Sequence, residues 1–255
     1  MRNPEELRDL AEEYLRDLAL TPELGALEEA VRYALESGKR VRAVICLATA
    51  EAAGAEPETA LPAAASLELV HAFSLVHDDL PALDDDTERR GRASTWARFG
   101  HAEGILAGDA LLAEAFRLAL SYPSAAVARE LAQATLGMIG GQYLDITDTA
   151  PDEVTLHRLK TGCLFAASVG LALWVADVPE RDQVSWRAFG DELGLLFQVV
   201  DDILDEDGYV LEHGAEGARA LADEAAHLAR AALAGVDADT SVLEGIVDDL
   251  AVRTS

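Results

Sequence analysis

Two runs of aspartate carry most of the chemistry this sequence offers. The first is Asp78-Asp79-Leu80-Pro81-Ala82-Leu83-Asp84-Asp85-Asp86, and the second is Asp201-Asp202-Ile203-Leu204-Asp205. Oxygen-only ligands suit hard cations. Mg²⁺ keeps several waters and binds through one or two carboxylates plus substrate phosphates. Asp201 and Asp205 are four residues apart, so they share a helix face and can ligate together. Pro81 stops or distorts the helix that ends the first run, which puts Asp84 on the following turn. Two such clusters facing each other need several Mg²⁺ ions and an anion between them, and a diphosphate fits that arrangement. A solvated helix end is the competing description in a chain with 47 acidic residues. Asp248-Asp249 shows what such a background pair looks like. The residues just upstream separate the two descriptions. ASLELVHAFSLVH before the first run and GDELGLLFQVV before the second are apolar, so both helices are predicted to be buried. Burying carboxylates costs several kcal/mol each, on the order of the ionic desolvation penalty, unless cations compensate.

The elements that must position these clusters are helical. Alanine and leucine dominate, and apolar residues recur at spacings of three and four. Helices are predicted over 5–20, 24–36, 41–54, 60–79, 99–120, 124–147, 152–176, 181–205, 215–234 and 240–252. Proline and glycine mark the breaks between them, as at Pro22, Gly38, Pro57, Pro81, Pro123, Pro151 and Pro179. Short links and no low-complexity stretch predict one all-α domain over 1–255. No internal period marks a solenoid.

Composition narrows the function classes. The chain has 255 residues, half of them hydrophobic, which is ample for a core. The formal charge is −27. Phosphate-backbone binding needs Lys and Arg, so nucleic acid is not an expected partner. The same charge argues against anionic membrane surfaces. No apolar run approaches the roughly 20 residues that span a bilayer, and the opening MRNPEELRDL has no apolar signal core. Cys46 and Cys163 make no disulfide framework, which fits a reducing cytoplasm. The 20 basic residues include only two lysines, Lys39 and Lys160.

Those lysines fall inside an ordered set of motifs. Gly38-Lys39-Arg40-Val41-Arg42 comes first, then His71 within ELVHAFSLVHDD, DDLPALDDD, and ERRG at 88–91. LAGDALL at 106–112 follows, then Gly141-Gln142-Tyr143-Leu144-Asp145, Lys160-Thr161-Gly162 and Phe197-Gln198-Val199-Val200-Asp201-Asp202-Ile203-Leu204-Asp205. In content and order this set resembles the trans-isoprenyl diphosphate synthases, the family of farnesyl and geranylgeranyl diphosphate synthases. The match runs from about residue 37 to 205.

The resemblance implies a helical bundle of about ten helices around a central cavity, and it implies roles. Gly38, Lys39, Arg42, His71 and Arg90 would bind the diphosphate of isopentenyl diphosphate. Asp78, Asp84 and Asp201 would hold Mg²⁺, three ions in all, on the diphosphate of the allylic substrate, with Asp79 and Asp205 supporting. Arg89 and Lys160 would contact that diphosphate, and Thr161 and Gln198 would aim oxygens at the developing allylic cation. Such preoriented dipoles matter most where charge appears in the transition state. The implied reaction is ionisation, condensation and elimination, in a cytoplasmic homodimer. Phe73, with Ser74, lies five residues before Asp78, about 7.5 Å down a helix. In the family a bulky group there floors the pocket, so the resemblance favours a C15 or C10 product, farnesyl diphosphate first.

One departure stands out. The family carries a further Gly-Lys-Asp…Lys stretch after the second aspartate run. Here no lysine follows Lys160, and Arg219 is the candidate substitute. Geranylgeranyl or geranyl diphosphate synthesis, and a non-catalytic regulatory subunit, therefore stay open. Two other classes remain beside them. Glu68-x-x-His71 and Glu224-x-x-His227 have the spacing of ferritin-like di-iron proteins. A class I terpene cyclase would also use paired aspartate clusters, but it has no need of the Lys39, Arg42 and His71 set.

Overall fold

The computed structural model describes residues 1–36 and 38–252; residue 37 and residues 253–255 of the expected single domain lie outside them. In chain order the helices are α1 (Pro4–Arg16), α2 (Glu28–Leu35), α3 (Val41–Ala52), α4 (Pro57–Asp78), α5 (Thr95–Phe99) and α6 (His101–Ala119). They continue with α7 (Ala126–Thr147), α8 (Glu153–His157), α9 (Cys163–Val175), α10 (Val184–Asp205), α11 (Tyr209–Ala234) and α12 (Ser241–Val252). Among the described residues the only sheet is a ribbon of β1 (Glu88–Arg89) and β2 (Arg92–Ala93). The all-α expectation holds. One buried apolar cluster runs from Leu7 on α1 to Leu250 on α12.

Helix α4 is central, as its all-round apolar sequence predicts. It packs against α3, α6 and α9, and Leu67, Leu69 and Val70 are fully buried. Pro62 sits inside it and breaks the local ladder. The Tyr122 hydroxyl repairs the damage: it accepts from Ala63 N at 3.1 Å and donates to Thr59 O at 2.8 Å. The helix can therefore continue to Asp78. Beyond it Leu83 N bonds Leu80 O and Asp84 N bonds Asp78 O, both at 2.9 Å. This tight turn brings Asp84 back beside Asp78, as Pro81 predicts.

Several boundaries differ from the sequence expectation, each for a local reason. The predicted helix 24–36 opens as a 3₁₀ turn, Pro22–Leu27, because Gly25 has φ 52. The predicted helix 99–120 begins instead at His101, with α5 ending at Gly100 (φ 99). The predicted helix 152–176 is interrupted by a π-helical turn, Arg158–Gly162. Helix α11 starts at Tyr209, earlier than predicted, with a kink at Gly214. The ribbon has no counterpart in the sequence expectation. Its turn residues Arg90 and Gly91 have φ 55 and 77, which matches the primed two-residue hairpin.

The expectation about spanning length needs correction. Helix α4 and the segment Glu153–Val175 are long and apolar enough to cross a bilayer by length and composition. A proline and scattered polar residues hide this when runs are counted strictly. In the fold, 67% of the relevant window of α4 and 50% of the other are buried.

Candidate active site

Two adjoining cavities open between α3, α4, α7, α9 and α10. The larger, about 580 Å³, is lined by Gly38, Lys39, Arg42, His71, Arg90, Thr161, Gln198 and Asp201. The smaller, about 400 Å³, is lined by Phe73, Ser74, Asp78, Met138, Ile139, Lys160 and Leu164. Arg42, His71, Leu75 and Thr161 line both. Residues scattered from 38 to 201 thus meet around one continuous space.

A buried carboxylate organises the basic wall. Glu68 is 3% exposed. Its Oε1 accepts from Ala43 N at 3.1 Å, which satisfies the start of α3, and its Oε2 lies 3.6 Å from Arg40. Arg40, buried with φ 53, also pairs with Glu12 at 2.9 Å. These contacts fix Lys39, just before α3, and Arg42, on α3, relative to His71, which lies one turn beyond Glu68 on α4. They also engage the carboxylate that a di-iron site would need. Glu224 and His227 are exposed on α11, so the ferritin-like alternative falls.

Arg42 is poised for an anion. Its guanidinium lies over the Phe165 ring, 4.6 Å from the centroid, and its buried Nε has no hydrogen-bond partner. Burial pushes its pKa down, with Glu68 opposing. A buried donor left unmade is costly, so a ligand that accepts from it is favoured. Burial, reinforced by Arg42 and Arg90, holds His71 well below the ordinary imidazole value. His71 is therefore neutral near pH 7 and offers one ring N–H, not a positive charge.

The acidic rims differ from one another. Burial pushes the Asp78 carboxyl up to about 6; Lys160 opposes the rise and Asp84 adds to it. Asp201 is raised by burial and then by Asp205, with Lys39 opposing. Asp205 and Asp84 are exposed. Lys160 donates to Asp145 from within the π turn. Gln198 Nε2 donates to Asp202 Oδ1 at 2.7 Å.

Two of the expected residues pair with each other. Asp79, 2% exposed, accepts Arg89 Nε and Nη2, each at 2.6 Å. It is therefore held by Arg89. Arg89 in turn is oriented by Asp79, and its side chain stays 32% exposed. Adjacent residues on a helix diverge by about 100°, so Asp79 cannot share Asp78's direction.

The donor set fits Mg²⁺ of the substrate-bound kind. Among the described residues no group of three or more His, Cys, Asp or Glu forms a ready cage. What exists is oxygen-only and crowded: Asp78 with Asp84, and Asp201 with Asp205. Asp78 and Asp201 are raised first by burial and then by neighbouring carboxylates, and a cation would offset both effects. A metal that draws the rest of its shell from phosphate and water matches this arrangement.

Sequence reasoning missed Asp145, Asp202 and His77. Asp202 and His77 lie beside expected ligands, and adjacency hid their different direction. His77 Nε2 approaches Ile105 O at 3.0 Å and packs over Gly108, where an added Cβ would lie 2.1 Å away. The glycine of LAGDALL was the available signal.

Similarity to known proteins agrees with this geometry. The family model for polyprenyl synthetase matches residues 25–218, a span that includes both aspartate runs and the basic wall. The chain belongs to the polyprenyl synthetase family. Among its relatives in that family, a geranylgeranyl diphosphate synthase of Cyanophora paradoxa is 39% identical over 193 residues, 69% of this chain and 64% of the relative. A farnesyl diphosphate synthase of Bacillus subtilis is 37% identical over 199 residues, 72% of this chain and 67% of the relative. The chain thus spans about two thirds of the length of these polyprenyl synthetases. The structure of an FPP/GFPP synthase from Zymomonas mobilis superposes with a TM-score of 0.86 at 29% identity, covering 97% of each chain. A geranyltransferase from Legionella pneumophila gives 0.85 at 29% identity, over 98% of this chain and 94% of the other.

Proposed function

We propose that this chain is a Mg²⁺-dependent prenyltransferase that condenses isopentenyl diphosphate with a short allylic diphosphate. The observation that carries this reading is the unpartnered, buried Arg42 Nε, beside Lys39 and His71, in a cavity continuous with an apolar one rimmed by Asp78. A terpene cyclase needs one diphosphate site, whereas this arrangement offers room for two. In the proposal Lys39, Arg42 and Arg90 hold the diphosphate of isopentenyl diphosphate, His71 donates one N–H to it, and the Gly38 backbone lies alongside. Asp78 and Asp84 on one side, and Asp201 and Asp205 on the other, would hold Mg²⁺ against the allylic diphosphate, with Lys160 as its protein cation. Bound Mg²⁺ supplies Lewis-acid neutralisation of the leaving group.

Departure of the diphosphate leaves an allylic cation. Thr161 and Gln198 both line the larger cavity and present oxygens to that charge. The isopentenyl double bond attacks to form the new C–C bond, and the departed diphosphate takes the proton whose loss restores a double bond. No protein nucleophile is needed. Leu75, Met138 and Leu164 keep water from the cation.

The relatives include makers of both C15 and C20 products. Phe73 favours the shorter one: it is buried, lines the apolar cavity, and is held edge-on to His77 with ring centroids 4.9 Å apart. The deciding experiment is product analysis with Mg²⁺, isopentenyl diphosphate and C5, C10 or C15 primers. Extension stopping at C10 or C15, and longer products from Phe73→Ala, are expected. A wild type that reaches C20 discards the Phe73 floor and keeps the enzyme. No extension from folded protein transfers the reading to a non-catalytic subunit. One domain and a homodimer belong to the same proposal. Ile139, Tyr143 and Ile146 of α7 are exposed at the apolar cavity that they line, so their exposure belongs to that cavity. Sedimentation velocity reads the oligomeric state directly.

A further inference from the structure

Asp202 stands between the two aspartates of the second run, yet its surroundings differ from theirs. It is 6% exposed, whereas Asp201 and Asp205 are exposed. Its carboxylate lies in the junction of α10 and α11. Oδ1 accepts from Gln198 Nε2 at 2.7 Å, and Oδ2 accepts from Tyr209 N at 2.9 Å. Gly208 makes the space: an added Cβ there would sit 2.2 Å from Oδ2, and φ is +44. His157 Nε2 lies 3.7 Å from the same oxygen.

These contacts have a polarity. A carboxylate only accepts hydrogen bonds, whereas the two ends of an amide are opposite in character. Gln198 must therefore give its NH₂ to Asp202. Its oxygen is left for the cavity that Gln198 lines together with Thr161. Without Asp202, either end of the amide could face the cavity. The Tyr209 N–H is backbone and cannot be inverted, so it holds the arrangement from the other side.

We propose that Asp202 is a positioning residue: pinned by Tyr209 N–H, it forces the Gln198 amide oxygen, and not its NH₂, toward the point where positive charge develops. The inference deepens the prenyl-transfer reading and rests on it.

Asp202→Asn tests it with almost no change of shape. The new amide must turn its oxygen to Tyr209 N–H and its NH₂ to Gln198. Gln198 then accepts, and its own NH₂ swings toward the cation. Removing one preorganised dipole from a transition state costs about 10²–10³ in kcat, and reversal costs at least as much. A fall of at least about 100-fold in kcat is expected. KM for both diphosphates should move less than about 3-fold, because their binding groups are untouched. A merely structural role would not produce that split.

The swapped pair is the stronger test. Gln198→Glu alone sets two carboxylates against each other and should also lower kcat. Combined with Asp202→Asn, the hydrogen bond reforms with donor and acceptor exchanged, and a carboxylate oxygen faces the cavity. The double variant should recover kcat to within about tenfold of wild type. Circular dichroism and thermal melts confirm folding. Wild-type kcat in folded Asp202→Asn, or a folded double variant no better than the single ones, overturns the inference. Should Asp202→Asn not fold, Gln198→Glu compared with the double variant decides alone. A wild type that makes no prenyl product overturns the reading of the site and this inference with it; an active wild type with an unaffected Asp202→Asn overturns the inference only.

Discussion

Asp78 shows how a site suited to a cation costs the empty protein stability. Its carboxyl is pushed up to about 6 by burial, above the ordinary aspartate value. Above about pH 6 the charge exists in both folded and unfolded chains, and only the folded one suffers desolvation. Between about pH 4 and 6 the folded state takes up the proton first, and below that both states are neutral. Asp78→Asn should therefore stabilise the metal-free protein near neutral pH by on the order of 1 kcal/mol after solvent screening. The gain should vanish below about pH 4, where Asp78 is neutral in both states. Prenyl transfer should be lost. Thermal melts in chelator at the two pH values, beside a product assay, check both halves. An Asp78→Asn melt no higher than wild type at neutral pH would mean that desolvation does not govern this carboxylate. The neighbouring Asp79 carries the opposite lesson: its Arg89 partner makes it part of the wall.

Among the elements, the π turn Arg158–Gly162 decides where Lys160 and Thr161 stand. Such turns are frequent at functional sites. Here α7 lies so close that a Cβ on Gly141 would be 2.4 Å from Lys160 N and 2.7 Å from its Cα. Backbone atoms cannot step aside as a flexible side chain can. Gly141→Ala should cost about 1–3 kcal/mol as overpacking and displace the turn, lowering kcat. Gly140 is the internal control, because a Cβ there meets nothing within 4 Å. Gly140→Ala should be neutral or stabilising by up to about 1 kcal/mol through helix propensity. Urea titrations of the two variants measure the difference; equal effects would remove the close approach as the cause. The helices themselves were legible in their apolar spacing. The π turn was not, because Thr161 and Gly162 weaken a helix without specifying a π turn, and the extra residue answers a neighbour on another helix.

At the scale of the whole molecule, a charge of −27 must be held together. Many of its ion pairs are exposed and contribute little. Self-repulsion therefore opposes the compact state and is screened by salt. The melting temperature should rise between about 0.01 and 1 M NaCl, over which the Debye length falls from about 30 to 3 Å. A melting temperature that falls would mean instead that the ion pairs outweigh the repulsion. In the proposed reaction the same field would repel the anionic substrates at a distance, so Lys39, Arg42, Arg90 and Lys160 would act only at short range. Lysine scarcity made two of them visible in the sequence. The Glu68 carboxylate that holds the basic wall was visible only as a spacing to His71, which also suited an unrelated metal site.

The sequence by itself determined the helices, the burial of α4 and α10, and the ordered motifs that point to the candidate site residues. Local propensity, helical periodicity and residue chemistry are all written along the chain. The tertiary structure alone decided direction. It turned Asp78 to the cavity and Asp79 to Arg89, opened Asp201 to solvent, and closed Asp202 under Gly208. Neighbouring residues of one type differ only in where the helix points them. What lies in that direction is set by side chains far away in the sequence.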